Sequence, residues 1–223
     1  VTDRLQRLAH EWHEVAALGD DALDRLIRSR GLDLLIDLSG HTEGHRLDVL
    51  ARKPAPVQAS WLGYLHATGV PAMDFRICDR HVEPSPEPLP GLEPPAWLPN
   101  CQWCLPLDKS LPDVSVSPAS TRGYATFGSF NNLAKITPQV LALWARILVG
   151  VPQSRLLMVG IPEGRSVERI HAVFASHGVA PARIELRPRV ERSAYFESYG
   201  EVDIVLDAFP YNGGTTSLDA LMM

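Results

Sequence analysis

The feature that most constrains this chain is a repeated alternation between short apolar runs and segments with helical periodicity. Residues 32–38 (LDLLIDL), 156–159 (LLMV) and 202–206 (VDIVL) are almost continuously apolar and too short for helices, so they read as buried strands. Residues 20–30 (DDALDRLIRSR) instead place Leu23, Leu26 and Ile27 on one face, with acids in the first turn and arginines in the last. That arrangement suits the helix dipole, and Gly31 ends the helix. Residues 46–52 predict a short helix, and 56–62 and 75–78 predict strands. The second half repeats the pattern, with strands over 125–130, 156–159, 184–186 and 202–206. Helices are expected over 138–149, 167–176 and 193–199. Thr137 and Pro138 open the first of these as N-cap and first helical residue, Val140, Leu141, Trp144 and Leu148 form its buried face, and Gly150 stops it. Repeated β–α units with apolar strands imply parallel sheets with helices on both faces. The expected class is α/β, with two Rossmann-like domains.

Prolines recur at 84, 86, 88, 90, 94, 95, 99, 106, 112 and 118, and serines crowd the end of that stretch. Proline removes backbone donors and opposes both helix interiors and central strands, so this reads as extended connecting chain. The domain boundary is placed near its end, giving domains over 1–120 and 121–223. The chain begins at Val1 and stops at Met223 within the first turns of a helix, which predicts a piece of a longer protein. The net charge of −5 gives no general attraction to nucleic acid. No apolar run approaches the roughly 20 residues that span a bilayer, and residues 1–12 lack a signal-peptide pattern. Three cysteines are too few for a disulfide framework, so a cytoplasmic location is expected.

Open α/β sheets bind ligands at the carboxyl ends of strands, beside helix N-termini. The best candidate is residues 207–221, where a strand ends at Asp207 and a loop containing Asn212, Gly213 and Gly214 leads into Thr215, Thr216 and Ser217 at a helix start. Glycines let the backbone approach a ligand, the first helical N–H groups lack internal partners, and threonine hydroxyls add donors. Asp219, one turn in, can accept from ribose hydroxyls. On spacing alone, a capped helix after a glycine turn fits equally well. Lys135, on the loop after the first strand of the second half, is the sole lysine after residue 109 and sits where it can neutralise a diphosphate.

Other candidates are weaker. Cys101 and Cys104 form one CxxC, whereas a zinc site takes about four ligands. His10 with His13, and His41 with His45, have spacings that would bring imidazoles together on a helix. Neither is HExxH, and Gly40 and Gly44 place the second pair on a loop, so both read as surface or capping histidines, with His41 able to line a cleft after its strand.

Three blocks, DLLIDLSGHTEGHRLDVLARKPAPVQASWLGY, TFGSFNNLAKITPQVLALWARILVGVPQSRLL and DIVLDAFPYNGGTTSLDAL, together resemble the catalytic region of bacterial O-linked N-acetylglucosamine (O-GlcNAc) transferases. The resemblance implies a GT-B fold of two Rossmann-like lobes, with this chain covering the later part of the first and the early part of the second. It implies inverting, metal-independent transfer of N-acetylglucosamine from UDP-GlcNAc, the donor substrate, to serine or threonine of proteins, with no cofactor. By the same resemblance Lys135 matches the essential lysine on the diphosphate and Asn132 a polar position on the nucleotide. Thr215 and Thr216 match the phosphate-binding threonines and Asp219 the ribose-binding aspartate. Val190 and Arg192 fall where the family contacts uridine, and Gly63 matches the loop beside the sugar.

The sequence departs from the family at several of these positions. Gly214 and Tyr195 stand where animal members have histidines, the second of which packs near the uracil. The usual Gly-Tyr-Pro-Gly reads Gly63-Tyr64-Leu65-His66, which alters the acceptor-side loop. The upstream histidine motif holding the family's proposed general base is absent from this chain, as are the tetratricopeptide (TPR) repeats that recruit protein substrates. The expected partners are therefore a UDP-sugar, a protein acceptor and the rest of the catalytic and TPR regions, without nucleic acid or membrane. Two alternatives stay open: another UDP-sugar reaction of a GT-B enzyme on a small molecule, and nucleotide-sugar binding without turnover.

Overall fold

Among the described residues two four-stranded sheets, in which every pairing is parallel, organise the chain. The computed structural model describes residues 2–87, 89–105 and 111–223, so Pro88 and Pro106 lie outside the described residues. The chain divides into two units, Val1–Cys104 and Leu105–Met223.

The first unit runs α1 (Thr2–Gln6), α2 (Asp20–Ser29), β1 (Leu34–Asp37), α3 (Leu47–Leu50), β2 (Val57–Trp61), β3 (Phe75–Cys78) and β4 (Pro95–Trp97), with strand order β1-β2-β3-β4. Two expectations change here. The first apolar run is not buried on both faces: Leu34 and Ile36 are exposed, while Leu35 packs on Leu47, Leu50 and Met73, and among the described residues β1 pairs with β2 alone. The proline-rich stretch is not wholly connecting chain, because Pro95–Trp97 pairs with β3 as an edge strand. A strand that opens on proline is tolerated there, since an edge needs donors on one side only. Residues 8–13 are not helical, and His13 pairs with Glu11 rather than with His10.

The loop after β2 turns back tightly on β1. A Cβ on Gly63 would lie 1.6 Å from the Leu38 carbonyl oxygen, so only glycine fits this backbone crossing. Nearby, Glu93 is buried and accepts from the N–H of Thr68 at 2.6 Å, and the Thr68 carbonyl accepts from His41 Nε2 at 2.8 Å.

The second unit runs α4 (Ala119–Arg122), β5 (Thr126–Ser129), a 3-10 turn at Leu133–Lys135, α5 (Pro138–Gly150), β6 (Arg155–Val159), α6 (Arg165–Ser176), a second 3-10 turn at Pro181–Arg183, β7 (Ile184–Arg187), α7 (Arg192–Tyr199), β8 (Ile204–Val205) and α8 (Thr215–Met222). Thr137 caps α5 by accepting from the Val140 N–H at 3.3 Å. The central strand β6 shows the two-residue period of a sheet covered on both faces. Leu156 and Met158 join Trp144, Leu148 and Phe174 beneath α5 and α6, whereas Leu157 and Val159 join Phe130, Phe196 and Tyr199. Burial of such side chains contributes about 1.5–3 kcal/mol each, so docking on the sheet, more than intrinsic propensity, holds these helices.

The run over 202–206 forms only the two-residue β8, and Ile204 is 51% exposed. Among the described residues β8 pairs with β5 alone, so the buried strand expected there is a short edge. Sheet order is β7-β6-β5-β8: the chain moves outward through β6 and β7, then crosses back to the other side of β5. The strand order therefore reverses between β5 and β8. Among the described residues no helix is long and apolar enough to cross a membrane.

Candidate functional site

A crevice forms where a doubly wound sheet reverses its strand order, because the loops leaving the two adjacent strands diverge to opposite faces. Here those loops follow β5 and β8. The first carries Asn131, Asn132 and Lys135, and the second carries Asp207 through Gly214 into α8.

Asp207 organises the second loop. Its Oδ1 accepts from the N–H groups of Gly213 and Ala208, each at 2.8 Å, and from Asn131 Nδ2 at 2.9 Å. Its Oδ2 accepts from Ser217 Oγ at 3.0 Å. Partial desolvation works against its charge, but the hydrogen bonds from Gly213, Ala208, Asn131 and Ser217 outweigh it and hold the carboxyl below the usual carboxylate range. Thr216 Oγ1 donates to Asn131 Oδ1 at 3.3 Å, which joins the two loops a second time. Gly213 is packed so tightly that a Cβ would meet Ser217 Oγ at 2.3 Å and Thr216 Oγ1 at 2.7 Å. Sequence reasoning missed Asn131 and the hub role of Asp207. The only signal was an aspartate at a strand's carboxyl end before a glycine loop.

The loop delivers the start of α8 with its amides unspent. Gly214 is the N-cap and offers no side-chain acceptor, while the Ser217 and Leu218 N–H groups bond the Gly214 carbonyl. Among the described residues nothing accepts from the N–H groups of Thr215 and Thr216. Two such groups at the positive end of an eight-residue helix suit an anion. A cavity of about 420 Å³ runs along β8 and α8, where Val202, Val205, Ala220, Leu221 and Met223 share its wall with Asn131, Asp207, Thr216 and Ser217; Lys135, Thr215 and Asp219 do not line it.

Lys135 ends the 3-10 turn that Asn132 caps by accepting from the Ala134 N–H at 2.9 Å. Its ammonium donates to the Asn212 carbonyl at 2.9 Å and lies 4.6 Å from the Tyr211 ring centroid. Half-burial lowers its pKa, and the nearby Asp207 charge opposes that only in part. One of its three protons is used on Asn212, so two remain for a ligand beside Gly213 and Gly214.

On the neighbouring α7, Tyr195 Oη donates to Asp219 Oδ2 at 2.9 Å. Burial is the main reason that Asp219 lies above the usual carboxylate range. Val190 is half-buried against the Phe130 cluster, and Arg192 stacks over Phe196 with its Cζ 4.9 Å from the ring centroid. The second unit thus places Asn132, Lys135, Gly213 and Gly214 on the loops that follow β5 and β8, Thr215, Thr216 and Asp219 in α8, and Val190, Arg192 and Tyr195 in or just before α7. Gly63 belongs to the first unit and is explained there by its backbone crossing. Cys101 and Cys104 are exposed free thiols, and among the described residues no group of three or more His, Cys, Asp or Glu side chains is placed to hold a metal.

These features define a class of protein: a Rossmann-like α/β unit whose switch-point loops lead into a helix start with two unpaired amides. The chain belongs to glycosyl transferase family 41, whose family model matches residues 11–100 and 122–223. It is 38% identical over 99% of its length to the probable UDP-N-acetylglucosamine–peptide N-acetylglucosaminyltransferase SPINDLY of Petunia hybrida, and 29% identical over 98% to the Arabidopsis thaliana protein named SEC with the same description. It spans about a quarter of the length of these relatives, 24% and 23% respectively. Among solved structures, a lysine-to-methionine mutant of the Thermobaculum terrenum O-GlcNAc transferase is similar at 37% identity and a TM-score of 0.88, over 99% of this chain and 42% of that one. The fold is of the GT-B type, as the parallel sheets and this likeness together show.

Proposed function

We infer that the full-length protein transfers N-acetylglucosamine from UDP-GlcNAc to serine or threonine hydroxyls of protein acceptors, and that this chain supplies the donor side of that reaction. The observation that carries the reading is the pair of unspent N–H groups at Thr215 and Thr216, with the Lys135 ammonium held beside the same loop. The descriptions of the Petunia and Thermobaculum relatives support both the sugar and the acceptor class.

In this account the diphosphate sits on the α8 N-terminus, with the threonine hydroxyls and Asn132 beside it. Lys135 stabilises the negative charge that grows on the diphosphate as the glycosidic bond breaks. Asp219 takes the ribose hydroxyls, and Val190, Arg192 and Tyr195 lie on the base side. Gly63 belongs to the loop that approaches the sugar. The first unit is then the later part of one lobe and the second the early part of the other. The general base and the repeats that recruit acceptors lie in the rest of the protein, so this chain alone is inactive. The reaction takes place in the cytoplasm, inverts the anomeric centre and needs no metal.

The test is to incubate the full-length protein and a cell-extract acceptor pool with sugar-labelled UDP-GlcNAc in EDTA, and to follow the label by mass spectrometry. N-acetylhexosamine on serine or threonine is the expected product. Label in a soluble glycoside or free sugar would move the protein to small-molecule chemistry. Binding of the donor with no turnover in EDTA or with added magnesium would leave it a binding protein.

A further inference from the structure

The Tyr195 hydroxyl has a task that the comparison with uracil-packing histidines does not suggest. The Tyr195 hydroxyl donates to Asp219 Oδ2 at 2.9 Å, which commits its one proton to that carboxyl group. Tyr199 Oη lies 2.8 Å from Tyr195 Oη, and with the Tyr195 proton on Asp219 only Tyr199 can donate in that pair. Its other acceptor, the Thr216 carbonyl, is further away at 3.3 Å. The chain of hydrogen bonds is therefore directional, from Tyr199 to Tyr195 to Asp219, and it ties α7 to α8.

Packing fixes both rings. Phe130 stacks on Tyr199 with centroids 3.8 Å apart and planes 15° apart. Tyr195 meets Phe130 edge-on at 5.6 Å and Phe196 at 5.1 Å. Burial, the larger cause, and the Tyr199 and Asp219 contacts raise the Tyr195 pKa, so the phenol stays a donor at every ordinary pH. A carboxylate has about four lone-pair sites and this bond uses one, which leaves capacity for a vicinal diol.

We propose that Tyr195 is a positioning residue for the donor's ribose: its hydroxyl, backed by Tyr199, fixes the Asp219 carboxylate so that the open oxygen meets the 2′- and 3′-hydroxyls. The proposal rests on the donor-site reading above and adds a consequence to it. The Tyr195 proton is spent on Asp219 and is not offered to the base, so polar recognition of the base falls to other groups. A preorganised acceptor of this kind lowers the ordering cost of binding.

The experiment measures binding of UDP and of 2′,3′-dideoxy-UDP to the full-length protein by calorimetry. Tyr195→Phe, which keeps the ring and its packing, should weaken UDP binding about five- to ten-fold, the usual net scale of one hydrogen bond. It should leave 2′,3′-dideoxy-UDP binding within two-fold, and should cost nothing further in an Asp219→Ala background. Equal losses on both nucleotides would reduce Tyr195 to a packing role and overturn the proposal. Unchanged UDP binding would also overturn it while leaving the donor site standing. A folded wild-type protein that does not bind UDP would remove the donor-site reading itself, and this inference with it.

Discussion

Lys135→Ala should sharply reduce transfer by the full-length protein while sparing nucleotide binding. The expected loss is about 10²–10³-fold in kcat, the scale of removing one preorganised group that meets charge only as it develops. The Kd for UDP should rise by no more than about ten-fold, because Thr215, Thr216 and the α8 dipole remain. Half-burial already disfavours the ammonium of the free protein, so wild-type kcat/KM should fall on the alkaline side. The working form is protonated, and it is lost as pH rises through a value below the ordinary lysine range. That alkaline limb should be absent from the residual activity of the variant. Steady-state kinetics with labelled donor and calorimetry with UDP check this, and turnover within ten-fold of wild type would remove Lys135 from the chemistry.

Asp207 should be the other position of large effect, although it is not itself assigned to the ligand. Asp207→Ala removes the acceptor for the Gly213 and Ala208 amides, Asn131 and Ser217 together, so the loop loses the form that presents α8. UDP affinity should drop about 10- to 100-fold, equivalent to roughly 1.4–2.8 kcal/mol. Asp207→Asn separates shape from charge. Its carbonyl oxygen can keep the three N–H donors while its amide donates to Ser217 Oγ with the hydroxyl reversed, so affinity should stay within ten-fold of wild type. The depressed Asp207 pKa gives the matching pH dependence. Its contribution is complete above the unfolded carboxyl value of about 4 and is lost as pH falls through the lower folded value. Equal effects of Ala and Asn on UDP binding would contradict the hub role.

The second half of the fold was legible because its signals were local. The Thr137–Pro138 start, the Trp144 face and the glycine loop before Thr215 each carry their meaning within a few residues. Strand burial was less legible. An apolar run such as residues 202–206 looks the same whether neighbours pair on both sides or, as for β8 among the described residues, on one. The β4 strand was hidden by Pro95, since proline argues against central strands and says little about edges. At the candidate site the sequence pointed to the glycine loop and Lys135 but missed what holds them. Asp207 reaches Asn131 across 76 positions and Tyr195 reaches Asp219 across 24, and no spacing rule spans such gaps. Gly63 was picked for its match to the family's loop beside the sugar, yet its local necessity is the Leu38 carbonyl, a close approach visible only in three dimensions.

The central claim is that the crevice between the β5 and β8 loops holds the diphosphate of the sugar donor. A crystal structure of the complete protein with UDP tests it most directly. The account predicts diphosphate oxygens about 2.7–3.2 Å from the Thr215 and Thr216 amides and from Lys135 Nζ, with the ribose hydroxyls on Asp219. UDP bound elsewhere, with those two amides facing water, would contradict it.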